Sequence, residues 1–281
     1  MSLTGAARLA GVMGWPIAHS RSPRIHGHWL AEYGIDGAYV PLAIRPEHLA
    51  EAFSALPKVG FRGWNITLPH KEAALQLVDT RTPAADRIGA VNTVTVQTDG
   101  SLSGDNSDAF GFIAHLAQSA PDWPRQRPAV VLGAGGAARA ICFALLEAGV
   151  PEIRLTNRTP ARAESLAAAN GAAVRAVAWT ERESALEGAG LLVNTTSLGM
   201  HGQPPLEMRL DALPADAVVN DIVYVPLETP LLAEARGRGL HAVDGLGMLL
   251  HQARPGFERW FGHRPEVTPA LHAAILKDLS S

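Results

Sequence analysis

The residues best suited to chemistry in this chain form a glycine-rich turn between a strand and a helix. The segment Ala129–Leu132 is rich in strand-forming residues, and the apolar helical segment after the turn stops at Gly149. Glycine permits a tight turn at Gly133, and at Gly135 it removes a side chain where a phosphate must approach the backbone. A helix N-terminus adds unpaired N–H groups and partial positive charge. The pattern predicts a pyrophosphate site on Gly133, Ala134, Gly135, Gly136 and Ala137.

The strand after this helix indicates which dinucleotide is bound. Dinucleotide sites that take NAD usually carry an Asp or Glu about 20 residues after the glycines, for the ribose hydroxyls. Here the strand Ile153–Thr156 is followed instead by Asn157 and Arg158. Thr159 and Pro160 fit the N-cap and first residue of the next helix, with Arg162 close behind. Two guanidinium groups at a helix start suit a 2′-phosphate, so NADP is expected; the alternative is that both arginines are solvated surface charges.

A second group of reactive side chains lies nearer the N-terminus. The segment from Gly63 to Lys71 is typical of a strand, a turn and a helix start, and Asp105 and Asp108 precede another helix. A lysine near a helix N-terminus is electrostatically disfavoured, so its position calls for a local reason. If Asp108 lies beside Lys71, the pair can hold an ammonium at a reacting carbonyl oxygen. The alternatives are an exposed helix lysine and an N-cap aspartate.

Composition narrows the class of protein. The 281 residues are 47% hydrophobic and 18% charged with a net charge of −3, which gives no argument for nucleic-acid or membrane binding. The single cysteine, Cys142, and the scattered histidines argue against a zinc site and an internal disulfide. The N-terminus lacks a signal-peptide pattern, so a reducing, cytoplasmic setting is expected. We therefore expect a small-molecule enzyme with no metal.

The order of elements predicts an α/β protein of two α/β domains, with a cleft between them. Residues 1–108 with 246–281 are expected to form a substrate-binding and catalytic domain, and residues 109–245 a Rossmann-type NADP-binding domain. Ligands bind outside the carboxyl ends of strands in such sheets. Expected strands are Leu9–Met13, Ala38–Leu42, Gly63–Thr67, Val91–Val96, Val193–Thr195, Val218–Ile222 and His241–Val243. Expected helices are Pro23–Tyr33, Pro46–Leu56, His70–Val78, Ala109–Gln118, Leu246–Trp260 and Thr268–Leu279, with a hairpin turn at Asp99–Gly100.

Seven sequence blocks, in order along nearly the whole chain, resemble those of the shikimate dehydrogenase family. The family pattern G-x-N-[VI]-T-x-P-x-K matches Gly63 to Lys71 in full. The remaining six blocks are Gly14–Pro23, Gly89–Thr93, Gly133–Ala137 together with Asn157–Thr159, Asn194–Met200, Asp221–Pro226 and Gly245–Ala253. Ser107, Gly27 and Val225 stand where the family commonly has Thr, Asn and Asn.

The resemblance implies a reversible, NADP-linked reduction of 3-dehydroshikimate to shikimate, with Lys71 and Asp108 as the catalytic pair. It implies that hydroxyl and amide side chains, which both donate and accept, bind the substrate. These are Ser20, Ser22, Thr67, Asn92, Tyr224 and Gln252, together with the catalytic pair. The resemblance also adds Ile222 and Gly245 to the residues expected to bind the cofactor.

Alternatives stay open at this stage. One is a quinate/shikimate dehydrogenase of broader specificity, and another is a methylene-tetrahydrofolate dehydrogenase. A non-enzymatic alternative is an NADP-binding sensor that has lost turnover. A monomer and a homodimer are both compatible with the sequence.

Overall fold

The computed structural model describes residues 3–279 and divides the chain into two units, each built on its own six-stranded sheet. The first unit comprises Met1–Ser107 and Leu250–Ser281, and the second comprises Asp108–Leu249. The two-domain α/β architecture expected from the sequence is confirmed. The functional assignment of the two units and the cleft stay predictions.

The sheet of the first unit is mixed, with the strand order β2-β1-β3-β5-β6-β4. Strands β1, β2 and β3 are parallel, whereas β5 runs antiparallel to both β3 and β6. The hairpin predicted at Asp99–Gly100 therefore joins β5 to β6. The strands are β1 (Arg8–Gly14), β2 (Gly37–Ala43), β3 (Phe61–Ile66), β4 (Thr80–Arg81), β5 (Thr93–Val96) and β6 (Leu102–Asp105).

Helices of the first unit cover the sheet and differ in places from the sequence prediction. They are α1 (Ser22–Glu32), α2 (Leu49–Ala55), α3 (Lys71–Ala74), α4 (Pro83–Ile88), α9 (Leu246–Phe261, in this unit from Leu250 onward) and α10 (Pro269–Leu279). The helix predicted over His70–Val78 is wrong in length. After Ala74 the backbone N–H groups of residues 75–77 bond to carbonyls three residues earlier. The Asp79 N–H then donates to the Leu102 carbonyl. The helix predicted over Pro46–Leu56 begins as a 3₁₀ turn, Pro46–His48. The strand predicted at Val91 begins at Thr93.

The sheet of the second unit is entirely parallel, with the order β12-β11-β10-β7-β8-β9. Its central strands β7 and β10 are fully buried and apolar except for Asn194 at the end of β10, as expected for a parallel sheet covered on both faces. The strand order reverses between β7 and β10, and in such sheets ligands bind at this switch point. The strands are β7 (Ala129–Leu132), β8 (Ile153–Thr156), β9 (Val174–Val177), β10 (Leu191–Asn194), β11 (Val218–Asp221) and β12 (His241–Val243).

Helices of the second unit are α5 (Asp108–Ser119), α6 (Gly136–Glu147), α7 (Pro160–Asn170) and α8 (Pro230–Gly237). The sequence prediction missed β4, α4, β9 and α8. Helix α6 carries Cys142, which is fully buried, and burial raises the pKa of its thiol to about 12. Within residues 3–279, no helix has the length and apolar character needed to cross a membrane, and no cluster of three potential metal ligands occurs.

Candidate functional site

The glycine-rich turn connects three strand ends of the second unit. Gly133 adopts a φ of 107°, which side-chain-bearing residues rarely adopt, and its N–H donates to the Thr156 carbonyl at the end of β8. A Cβ at Gly133 would lie 2.5 Å from Thr195 Oγ1, which follows β10. Glycine at this position is therefore a requirement of the protein's own packing.

Gly135 and Gly136 have a different reason to be glycine. Gly135 has a φ of −91°, and a Cβ at either position would meet no protein atom within 4 Å. Both residues are exposed at the N-terminus of α6, where backbone N–H groups and the helix dipole favour an anion. The space over these glycines suits a phosphate group. Ala134 lies inside the turn, Ala137 is half-buried, and Ala138 is fully buried.

The predicted 2′-phosphate residues lie together after β8. Thr159 is the N-cap residue of α7 by backbone position, as predicted, but its side chain makes no capping hydrogen bond. Asn157 Nδ2 donates to the Thr159 carbonyl over 2.9 Å, which fixes the turn. Arg158 and Arg162 are exposed, and neither guanidinium group takes part in a hydrogen bond or ion pair with another residue of the described part of the chain. Two guanidinium groups are thus available for a ligand phosphate at this helix start.

Ile222 and Gly245 come together at the neighbouring strand ends. A Cβ at Gly245 would collide with the backbone carbonyl of Ile222, so these two loops touch through backbone atoms. The Ile222 N–H donates to the Asn194 carbonyl over 3.1 Å. Both predicted cofactor residues therefore lie at the carboxyl edge of the sheet. Tyr224 follows two residues later and is half-buried.

A buried carboxylate fixes the loop that carries Ile222 and Tyr224. Asp221 is fully buried at the end of β11, and it accepts hydrogen bonds from Asn194 Nδ2 at 3.0 Å, Val223 N–H at 3.0 Å and Thr229 Oγ1 at 2.7 Å. Burial raises the pKa of Asp221 to about 6, against the opposing effect of these donors. We call Asp221, Asn194 and Thr229 the carboxylate network.

In the first unit, Thr67 and Lys71 occupy the turn between β3 and α3. Thr67 N–H donates to the Met13 carbonyl at 2.9 Å, and the Thr67 carbonyl accepts from His70 N–H at 3.0 Å. Lys71 is the first residue of α3 and half-buried, and its carbonyl accepts from Val91 N–H at 2.9 Å. The predicted lysine is therefore held at the same sheet edge as the segment that leads to Asn92.

Asn92 is buried and belongs to a compact polar cluster. Its Oδ1 accepts from Ser107 N–H at 2.8 Å, Thr93 Oγ1 at 2.9 Å and Ser107 Oγ at 3.2 Å. The side-chain oxygen of Asn92 is therefore engaged by Thr93 and Ser107. Ser107, which stands in place of the threonine common in the family, retains the hydroxyl that this cluster uses.

Ser20 and Ser22 lie at the start of α1. Ser22 N–H approaches Ser20 Oγ at 3.4 Å, and Ser22 is buried whereas Ser20 is half-buried. The N-cap position of α1 is Arg21. Gln252 is half-buried on α9, and Asp108 is buried as the first residue of α5 in the second unit.

Two residues of the first unit escaped sequence reasoning. Tyr39 Oη donates to Asn65 Oδ1 over 2.6 Å, and Asn65 Nδ2 donates to the Asn92 carbonyl and to Thr93 Oγ1, each over 3.1 Å. Two signals were available for Asn65: it is the asparagine of the block that matches Gly63 to Lys71, and a polar residue in a buried strand needs partners. Tyr39 gave no comparable signal.

Comparisons with known proteins agree with this arrangement. A shikimate dehydrogenase substrate binding domain matches residues 12–94, a shikimate / quinate 5-dehydrogenase domain matches residues 115–201, and a shikimate 5'-dehydrogenase C-terminal domain matches residues 245–275. The shikimate dehydrogenase (NADP(+)) of Paramagnetospirillum magneticum is 61% identical over 275 residues, which cover 98% of this chain and all of that protein.

Solved structures extend the likeness to the fold. Shikimate 5-dehydrogenase from Thermus thermophilus in complex with NADP(H) and shikimate is 40% identical, with a TM-score of 0.85 over 97% of this chain and 99% of that chain. Quinate dehydrogenase from Corynebacterium glutamicum in complex with NAD is 32% identical, with a TM-score of 0.89 over 96% and 99% of the two chains. The 61% identity extends over essentially the whole of both chains, so the chain belongs to the shikimate dehydrogenase family.

Proposed function

We propose that this protein catalyses the reversible, NADP-linked reduction of 3-dehydroshikimate to shikimate. The observation that carries the proposal is the 61% identity, over essentially the whole of both chains, to a relative named shikimate dehydrogenase (NADP(+)). The exposed arginines of the α7 start support NADP in particular, because a hydrogen bond to a charged group contributes about 1.5–3 kcal/mol.

The residues present fit the cofactor. The open backbone at Gly135 and Gly136 suits the pyrophosphate, and Arg158 with Arg162 suits the 2′-phosphate. Backbone groups of Ile222 and Gly245 would border the nicotinamide end. NADPH, when bound, supplies a hydride to the substrate carbonyl carbon. The proposed cofactor-binding residues are Gly133, Ala134, Gly135, Gly136, Ala137, Asn157, Arg158, Thr159, Arg162, Ile222 and Gly245.

Lys71 is the proposed proton donor at the carbonyl oxygen. An ammonium stabilises the negative charge that develops on that oxygen and then delivers a proton to it. We propose that Asp108 holds this ammonium in place, so that the pair acts as one catalytic group. In the opposite direction Lys71 accepts the proton from the shikimate hydroxyl.

The remaining proposed residues orient a small polyhydroxy acid. Hydroxyl and amide groups both donate and accept hydrogen bonds, so a set of them can match several hydroxyls and one carboxylate. The set is Ser20, Ser22, Thr67, Asn92, Tyr224 and Gln252. We further propose that the protein acts in a reducing, cytoplasmic setting on this small molecule, without a nucleic-acid partner, as a monomer or homodimer.

Absorbance of the reduced nicotinamide tests the proposal directly. We would follow oxidation of NADPH, and separately of NADH, with 3-dehydroshikimate and with 3-dehydroquinate. Fast turnover with NADPH and 3-dehydroshikimate alone is expected. Binding of NADPH with turnover of neither acid would contradict the proposal and favour a sensor.

A broader quinate/shikimate dehydrogenase is the second candidate, favoured by the fold similarity to a quinate dehydrogenase in complex with NAD. That activity would appear in the same assay as turnover with 3-dehydroquinate or with NADH. The arginines at the α7 start argue against it, since they offer no acceptor for ribose hydroxyls.

A further inference from the structure

We infer that Tyr39 is a positioning residue for substrate, holding the segment of Asn92 through Asn65. The inference rests on the proposed function, because Asn92 is a proposed substrate residue. Tyr39 itself is 7% exposed and would not contact the substrate.

Sheet register explains how Tyr39 reaches Asn65 across an intervening strand. Strand β1 lies between β2 and β3, with Ala10 paired to Tyr39 and Val12 paired to Asn65. Paired residues, and residues two apart on one strand, lie on the same face of a sheet. Tyr39 and Asn65 therefore share a face, and the small side chain of Ala10 leaves room for the phenol ring to extend over β1.

The direction of each hydrogen bond follows from a backbone carbonyl. The Asn92 carbonyl can only accept, so the Asn65 group that faces it must be the amide nitrogen. Asn65 Oδ1 then faces Tyr39 as an acceptor, and the phenol proton is committed to it at 2.6 Å. A single phenol thus fixes the orientation of the Asn65 amide group, which holds the Asn92 carbonyl.

The Tyr39 ring is itself held by stacking. The His26 ring lies parallel to it, with ring centroids 3.8 Å apart and 1° between the planes. His26 is four residues after Ser22, so both lie on the same face of α1. Trp29, Phe257 and Trp260 surround His26, and its two ring nitrogens have no hydrogen-bond partner in the described part of the chain. The ring has no polar contact to favour another orientation.

Removal of the phenol hydroxyl tests the inference. In Tyr39→Phe the ring and its stacking remain, but Asn65 loses the phenol as a hydrogen-bond partner. We expect KM for shikimate to rise about tenfold, while kcat at saturation and KM for NADP+ stay within about twofold. A purely structural role would reduce the active fraction, lowering kcat and leaving both KM values unchanged.

Tyr33→Phe is the matched control. The Tyr33 hydroxyl accepts from Glu266 N–H at 3.2 Å within the same unit, so the control loses a tyrosine hydrogen bond that the inference does not use. It should leave KM for shikimate unchanged. Equal KM values in the Tyr39→Phe and Tyr33→Phe variants of an active enzyme would overturn the inference, whereas an inactive wild type would instead count against the proposed function.

Two further variants test through which residues Tyr39 changes KM for shikimate. If Tyr39 acts through Asn65, the KM effects of Tyr39→Phe and Asn65→Ala should be less than additive in the double variant. Full additivity would refute this route. Thr93→Val interrupts the same network next to Asn92 and should also raise KM for shikimate, so the inference stays testable if Tyr39→Phe does not fold. An unchanged KM in Thr93→Val would overturn the link to Asn92.

Discussion

The two units fix their loops at strand ends with different chemistry. In the first unit, the side-chain oxygen of Asn92 is held by neutral hydroxyl and amide donors, whereas in the second unit the loops after β10 and β11 converge on the buried carboxyl of Asp221. Neutral groups do not titrate near neutral pH, but a carboxyl whose pKa is about 6 does. Geometry in the proposed substrate site should therefore be insensitive to mild acid, and geometry in the proposed cofactor site should not.

The largest expected effect separates chemistry from cofactor binding. Lys71→Ala removes the proposed proton donor, so kcat should fall by about 10²–10⁴-fold. NADPH affinity, measured by fluorescence titration, should stay nearly unchanged, because Lys71 lies in the first unit and the glycine turn in the second. A comparable loss of NADPH affinity would break the assignment of separate tasks to the two units.

The carboxylate network gives the next largest effect. The raised pKa of Asp221 means that the folded protein binds a proton more tightly than the unfolded chain does, so stability falls as pH rises from about 4 to about 6. The difference corresponds to ~3 kcal/mol. Asp221→Asn should abolish this dependence, which thermal unfolding of both proteins across this pH range would measure. If stability changes with pH in the same way in the wild type and the variant, Asp221 does not titrate in this pH range.

Cofactor preference should change by a smaller factor. Arg158→Asp replaces the proposed 2′-phosphate partner with an acceptor for ribose hydroxyls, and NADP-over-NAD selectivity should fall about ten- to a hundredfold. Values of kcat/KM measured with each cofactor give this selectivity ratio. Arg264→Asp makes the same charge change at an exposed position of the first unit and should leave the ratio unchanged. Equal selectivity in the two variants would identify Arg158 as a bystander.

The smallest expected effect distinguishes two glycines of one turn. Gly133→Ala introduces a clash with Thr195 and a strained φ, so it should destabilise the second unit by ~1–3 kcal/mol. The Cβ added in Gly135→Ala meets no protein atom within 4 Å, so this variant should keep the melting temperature and bind NADPH more weakly. Calorimetry with and without NADPH compares the two. Similar melting temperatures for the two ligand-free variants would refute the distinction.

The sequence prediction missed one edge strand of each sheet, β4 in the first unit and β9 in the second. Buried runs such as Ala129–Leu132 are unmistakable, whereas Thr80–Arg81 is a two-residue exposed strand with no alternation of apolar and polar residues. The apolar pattern after His70 resembles a helix, yet the pairing of Asp79 with Leu102 ends it early. Local sequence cannot reveal this, because the partner is distant in the chain.

The same limit applies to the proposed site. Lys71, Asn92 and the glycine turn follow from local motifs, so sequence alone nominates them. The contact between Tyr39 and Asn65 depends instead on the register of two strands against β1, and on the small size of Ala10. Side chains that act through another residue become visible only when that register is known.

The buried Cys142 has a practical consequence. It is the single cysteine of the chain, and a thiol whose pKa is raised to about 12 carries almost no thiolate at neutral pH. Maleimide and nitroxide reagents should therefore leave the native protein unlabelled. One cysteine introduced on the surface of each unit would accept probes without background, so that spectroscopic distances between them could follow the units through turnover.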